Sequence, residues 1–163
     1  ITAIIGKRDI MEAAQSTFIS STFWTERIGP TAALATLSEI ERKETWKSIT
    51  SKGKYIRKIW LDLAKKNNLK INVFGLDSII KFAIKSPYNL IYKTFITQEM
   101  LKKGYLANNA IYVCTEHKVS ILDDYKKSIE PIFSTIGEIE NSGEDPTKLL
   151  KGPICHEDFK RLN

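Results

Sequence analysis

Residues 31–85 read TAALATLSEIERKETWKSITSKGKYIRKIWLDLAKKNNLKINVFGLDSIIKFAIK, and the change of apolar spacing within them decides the fold class. From Thr31 to about Lys66 apolar residues recur at helical intervals, with Leu34, Leu37 and Ile40 on one stripe and Trp46, Ile49, Ile56, Trp60 and Leu63 on another. At about 100° per residue the two stripes are offset by about a quarter turn, which predicts a bend between Ile40 and Trp46 or near Gly53. Lys43, Lys47, Lys54, Lys58 and Lys65 fall on the face opposite the second stripe. A helix of this length spans roughly 50 Å, more than a compact domain of this size needs, and suits a connector between a large body and a smaller lobe. Asn67-Asn68 supplies its stop, because Asn tolerates the left-handed conformation that often ends a helix. Leu69–Phe74 and Ile79–Lys85 then read as strands of an antiparallel hairpin joined by Gly75-Leu76-Asp77-Ser78, with Ser86-Pro87 ending the second.

Outward from this segment the pattern stays mixed. A helix is predicted over Lys93–Lys103, closed by Gly104, and a third strand over Ala110–Thr115. Ser120-Ile121-Leu122-Asp123 has the spacing of a capping box and opens a helix with Leu122, Tyr125, Ile129, Ile132, Ile136 and Ile139 on one side. Pro131 inside it predicts a kink. Toward the N-terminus, Ile1–Gly6 reads as a buried strand and Asp9–Gln15 as a short helix; the hydroxyl-rich stretch Ser16–Thr25 follows, and Gly29-Pro30 precedes the long helix. Asn141–Pro146 reads as a linker, and the last seventeen residues show no periodicity.

Composition bounds the class. With 163 residues, 42% hydrophobic and 27% charged, the chain has material for one globular core and carries too many charges for a membrane protein. It contains no apolar run of the roughly 18 residues a membrane-spanning helix needs, and no basic segment precedes Ile1–Gly6, so a soluble, cytoplasmic protein is expected. An opening strand with no Met before it suggests part of something longer. The formal net charge is +6, and residues 42–70 hold ten Lys/Arg against Glu44 and Asp62, leaving fifteen basic and seventeen acidic residues elsewhere. Such a segment permits nucleic-acid binding, and a solvated helix face produces the same arithmetic.

Cys114 and Cys155 are too few for a disulfide framework and are expected to be reduced. With His117 and His156 they would suffice for a tetrahedral zinc site, but Cys114 lies in an apolar strand and Cys155-His156 in a distant tail, which favours two ordinary thiols over a metal. No glycine-rich phosphate loop is present. The Ser20-Ser21-Thr22 cluster ahead of a helix start offers hydroxyl donors to a phosphate, although such clusters are usually ordinary loop chemistry.

Ile4-Ile5-Gly6-Lys7-Arg8-Asp9-Ile10-Met11, then Ser21-Thr22-Phe23 and Gly29-Pro30-Thr31-Ala32-Ala33-Leu34-Ala35, resemble class III pyridoxal-phosphate aminotransferases, nearest to the glutamate-1-semialdehyde aminomutase branch. Thr94-Phe95-Ile96-Thr97-Gln98-Glu99-Met100-Leu101, Lys103-Gly104-Tyr105-Leu106-Ala107 and the Tyr112–His117 segment match the C-terminal lobe of that family in order, so the resemblance covers most of residues 1–140. It implies an α+β chain, the C-terminal portion of a fold-type I pyridoxal-phosphate transferase. Residues 1–30 would be a remnant of the large cofactor-binding domain and 31–67 the connector helix. Residues 68–141 would form a small domain with a three-stranded, mostly antiparallel sheet and covering helices, and 142–163 a linker and tail.

The resemblance places the Schiff-base lysine shortly upstream of Ile1, leaves no catalytic residue in this chain and implies that the chain alone is inactive. Thr22 aligns with the threonine that reaches across a homodimer to the phosphate of the partner's cofactor, and Ser21 stands beside it where the family commonly has Gly. Glu26 and Arg27 lie in a loop longer than that of the aminomutases, and Tyr112 occupies the position of an aminomutase Glu, which makes these three the candidate substrate contacts. Both departures favour transfer of an amino group from a donor to an aldehyde or ketone, a sugar-derived carbonyl compound being the favoured class. The cofactor would be pyridoxal 5'-phosphate, with no metal, nucleic acid or membrane among the partners. The alternatives are the aminomutase itself, a basic nucleic-acid-binding module using residues 42–70, and an interaction domain lacking the catalytic half.

Overall fold

The computed structural model describes residues 2–19, 22–23 and 26–156. The elements in chain order are α1 (Arg8–Ala14), α2 (Ile28–Lys43), α3 (Thr45–Lys66), β1 (Ile71–Leu76), β2 (Ile79–Ile84), α4 (Asn89–Lys102), β3 (Ala110–Tyr112) and α5 (Val119–Ser142), followed by a 3-10 turn at Pro146–Leu149. The chain divides into two compact units, Ile1–Thr45 and Trp46–Asn163.

The N-terminal unit holds α1 and α2. The expected opening strand is not formed: residues 2–7 take no regular structure, and Ile4 and Ile5 are exposed. An apolar run extends into a strand only where a neighbouring strand satisfies its backbone groups, and no such neighbour exists among the described residues of this unit. The short helix expected over 9–15 is present as α1. In α2 no described residue is buried, and the stripe of Leu34, Leu37 and Ile40 is exposed, Leu34 by 68%.

The single long helix of 31–67 is also corrected. Glu44 takes φ 46° and ψ 46°, a left-handed conformation that ends α2, and α3 starts at the next residue. The phase jump between the apolar stripes marks this break, within the predicted Ile40–Trp46 window. The helix continues through Gly53 without interruption.

The C-terminal unit is organised by α3, which buries Gly53, Ile56, Ile59, Trp60, Leu63 and Ala64 on one face. Trp46, expected on that stripe, is 46% exposed. The helix stops where Asn67-Asn68 predicts: Asn68 has φ 52°, its N–H reaches Lys65 O at 3.3 Å, and Leu69 N–H reaches Ala64 O at 2.8 Å. This pair of bonds satisfies two terminal carbonyls and turns the chain, with Leu69 buried at the turn. At the end of α4, Gly104 at φ 81° does the same, with Tyr105 N–H donating to Met100 O at 3.0 Å.

The hairpin is present in tighter form. Leu76 pairs with Ile79, so the loop is Asp77-Ser78, and Gly75-Leu76 belong to β1. Strand order is β1-β2-β3, antiparallel throughout, with Ile80 opposite Ile111. Strand β3 is shorter than the expected 110–115, although Val113 N–H still donates to Ser78 O at 2.9 Å. Alternation puts Ile80, Phe82 and Ile84 on the covered face and leaves Phe74, Leu76, Ile79 and Tyr112 exposed. Trp60 of α3 and Phe133 of α5 both meet Phe82, with ring centroids 4.6 and 5.6 Å away. The indole N–H of Trp60 donates to the buried Tyr125 hydroxyl at 2.9 Å.

Arg57 guards the outer edge of the sheet. Lys85 N–H donates to Lys70 O at 2.7 Å, so residues 71, 73 and 75 turn their backbone groups away from β2. The Arg57 guanidinium pairs with Asp77 at 3.0 Å and donates to Val73 O and Gly75 O, each at 3.4 Å. A charged side chain on an edge discourages pairing with another strand.

Helix α5 runs without a break in its assignment across Pro131. The capping box at Ser120 is not formed: Lys118 is the N-cap, with no side-chain cap bond, and the Asp123 carboxylate accepts the Tyr55 hydroxyl of α3 instead. The segment after the 3-10 turn is strapped along α4. Gln98 donates to Leu149 O at 3.0 Å and accepts from Lys151 N–H at 2.8 Å, and Thr94 Oγ1 accepts from Cys155 N–H at 2.9 Å.

The closest approach between α3 and the hairpin is at Gly53, where a Cβ would lie 1.7 Å from Asp77 O. Gly53→Ala is expected to destabilise the C-terminal unit by about 2 kcal/mol or more, because backbone and not a flexible side chain is in the way. Gly152→Ala, where a Cβ meets nothing within 4 Å, should change stability by less than about 0.5 kcal/mol. Urea unfolding followed by tryptophan fluorescence measures both.

Candidate functional site

The residues expected to form a site fall in both units. Ser21 lies outside the described residues, while Thr22 is an exposed turn residue of the N-terminal unit. Four residues on, Glu26 and Arg27 come together at the start of α2. Both Glu26 oxygens accept from that helix, from Ile28 N–H at 2.6 Å and Gly29 N–H at 3.0 Å. A carboxylate at this end satisfies two donors the helix cannot use and sits at the positive end of its dipole. Arg27, exposed, is the helix N-cap residue.

Tyr112 belongs to the C-terminal unit. It is 69% exposed on the open face of the sheet, in cross-strand register with Ile79, which separates it from Leu76 of β1. A cavity of about 410 Å³ wraps round the β3 edge at this point. Its lining includes Tyr105, Asn108, Tyr112, His117, Ile121 and Tyr125. Asn108 Oδ1 accepts from Ala110 N–H at 2.8 Å, which satisfies a backbone donor at the start of β3. His117 Nδ1 accepts from Cys114 N–H at 3.3 Å, so Nε2 is the ring nitrogen left to carry the proton. Burial pushes the Tyr125 phenol far above its ordinary range, outweighing the opposing bond from Trp60, and the hydroxyl stays neutral.

Of the residues lining this cavity, sequence points to Tyr112 alone as a substrate contact, while Tyr105 belongs to the Lys103–Ala107 segment and His117 to the set of Cys and His residues. The available signal was a cluster of Tyr, Asn and His bracketing one short strand. Among the described residues no group of three or more His, Cys, Asp and Glu is arranged to hold a metal. Both cysteines are free thiols, Cys114 exposed and Cys155 half-buried with its sulfur 3.7 Å from Leu90 O.

Part of the basic segment is used inside the fold. Arg42 and Lys43 meet Glu39 at 2.6 and 2.5 Å, and the two together hold its carboxyl down to about 2, the Arg42 bond contributing most. Lys52 donates to Thr115 O at 2.5 Å, and Lys66 pairs with Glu130 of α5 at 2.6 Å. No helix among the described residues is long and apolar enough to cross a membrane.

No protein-family model and no curated protein matches the chain. Among solved structures, the PLP internal aldimine form of the FumI protein of Sphingopyxis sp. MTA144 is similar to it, with a TM-score of 0.74 and 16% sequence identity. The likeness is one of fold. It takes in 90% of this chain and 36% of that one, so the chain spans about a third of the length of the structure it matches. The architecture of that shared part is α+β, with the three-stranded antiparallel sheet covered by helices.

Glu26→Ala removes the acceptor for two N–H groups of α2 and should lower the stability of that helix by about 1 kcal/mol. A helical far-ultraviolet signal reduced relative to the unchanged chain, and restored in part by Glu26→Asp, is the expected result.

Proposed function

We propose that this chain is the C-terminal part of a homodimeric, fold-type I pyridoxal-phosphate aminotransferase that moves an amino group from a donor to an aldehyde or ketone. The observation that carries the reading is the fold likeness, over 90% of the chain, to a protein solved with that cofactor. The order of the motifs from Ile4 to His117 supports it independently.

The chain's own residues bear on where the cofactor phosphate would be held. The first N–H groups of α2 are occupied by Glu26, and a second anion there would face that carboxylate. The exposed Thr22 hydroxyl is the donor that fits, with Ser21 next to it in sequence. The phosphate would be the partner subunit's. The cofactor, when bound, supplies the electron sink for amino transfer, and the lysine that holds it covalently is assigned to the sequence ahead of Ile1.

Glu26, by capping α2, fixes the backbone of Arg27, whose guanidinium offers a substrate a cation or a hydrogen-bond donor. Tyr112 offers a neutral hydroxyl where the aminomutase branch has a carboxylate, which supports transfer to a separate acceptor over internal rearrangement. The nucleic-acid reading loses ground because Arg42, Lys43, Arg57 and Lys66 are committed to carboxylates within the fold.

The test is an absorbance spectrum of the gene product including the sequence upstream of Ile1, after addition of pyridoxal phosphate. A visible band abolished by borohydride is expected, with none for residues 1–163 alone. Thr22→Val in the longer protein should weaken cofactor retention about tenfold, the loss of one hydrogen bond to a charged group. A longer product that shows no such band contradicts the proposal.

A further inference from the structure

Beyond the 3-10 turn the chain changes its means of attachment. Pro146 is fully buried, and Leu149 and Leu150 pack against the core. From Lys151 onward that anchoring ends: Lys151, Gly152, Pro153 and Ile154 are exposed, and Cys155 is half-buried. Among the described residues, no backbone group of 151–156 bonds to another backbone group outside the segment.

The hydrogen bonds of this segment go instead to Leu90, Thr94 and Gln98, which follow one another at one-turn spacing along α4. Gln98 is the first clamp. Its Oε1 accepts from Lys151 N–H at 2.8 Å while its Nε2 donates to Leu149 O at 3.0 Å, and the Glu99 carboxylate, 2.8 Å from the same Nε2, fixes the orientation of the amide. Attraction of the exposed Lys151 for Glu99 adds to it. Thr94 is the second clamp: its hydroxyl donates to Leu90 O at 2.8 Å, which turns a lone pair outward to accept from Cys155 N–H at 2.9 Å. The Cys155 sulfur lies 3.7 Å from the same Leu90 carbonyl and closes a small ring of contacts.

Release of the segment strands no polar group. Thr94 keeps its bond to Leu90 O, Gln98 keeps Glu99, and the freed N–H groups of Lys151 and Cys155 meet water. Little apolar surface is given up, so the cost of opening is set by a few hydrogen bonds rather than by the core. We infer that residues 151–156 form a strap that opens as a unit while the C-terminal unit stays folded, with Thr94 as its latch. The outer face of α4 at Leu90 and Thr94 then exists in a covered and an uncovered state, and the Cys155 thiol is covered and uncovered with it. This device goes beyond the proposed amino transfer and requires no cofactor.

Thiol labelling with an aromatic disulfide reagent tests it, with Cys114 and Cys155 read separately by mass after digestion and each rate referred to that of the denatured chain. The exposed Cys114 is expected to label near its denatured rate, and Cys155 at least about tenfold below its own. Low urea should leave the Cys155 rate nearly unchanged, because a small opening exposes little surface. Thr94→Val should raise that rate about fivefold, the weight of one neutral hydrogen bond, with the tryptophan-detected unfolding midpoint little changed. Thr94→Ser, which keeps the oxygen, should stay within about twofold of the unchanged chain. Labelling of Cys155 at its denatured rate would overturn the inference, since no docked strap is then present. So would a Cys155 rate that follows the steep urea dependence of global unfolding, or one that Thr94→Val does not move.

Discussion

The buried bond from the Trp60 indole to the Tyr125 hydroxyl joins the two long helices of the C-terminal unit across the face of its sheet. Among the described residues Trp60 is the largest fully buried side chain, and a donor buried at that depth must be satisfied. With Tyr125 as acceptor, the faces of α3 and α5 are set relative to each other. Phe82 of β2 then sits against both Trp60 and Phe133, which fixes the side of the sheet that is covered. The side that is left open carries Phe74, Leu76, Ile79 and Tyr112, so the location of the candidate substrate contact follows from the packing of a tryptophan on the opposite face.

A second layer of contacts holds the hairpin to this frame. Gly53 lets α3 come against the Asp77 carbonyl, and Arg57, one turn on, pairs with the Asp77 carboxylate while covering two carbonyls of the free edge. At the other edge, β3 is short and its surroundings are side chains from the α4–β3 connection and the start of α5. The cavity forms there because the sheet ends before the helix layer does.

Elements whose patterns depend on near neighbours were legible in the sequence. The hairpin showed in its strands and turn residues, the end of α3 in Asn67-Asn68, and the break at Glu44 in the shifted phase of two apolar stripes. Patterns that depend on distant partners were not. Ile1–Gly6 looked like a strand, but nothing in sequence said whether another strand was there to pair with residues 2–7. Asp123 had capping-box spacing, yet Tyr55, far away in the chain, takes its carboxylate. The strap along α4 rests on Gln98 and Thr94, ordinary surface residue types until the C-terminal segment is laid against them. Thr22 and Arg27 were singled out through family resemblance, while the cavity around Tyr112 became visible only when Asn108, His117 and Tyr125 were brought together.

The two units differ in kind. The C-terminal one contains a complete buried core, whereas the apolar residues of α2 are uncovered within the chain as it stands. Native-state amide hydrogen exchange across residues 1–163 measures that difference directly. Exchange in the middle of α3, β2 and α5 limited by global unfolding, with α2 exchanging orders of magnitude faster, is the predicted result. Protection of α2 equal to that of α3 would contradict a fold centred on Trp60 and Tyr125.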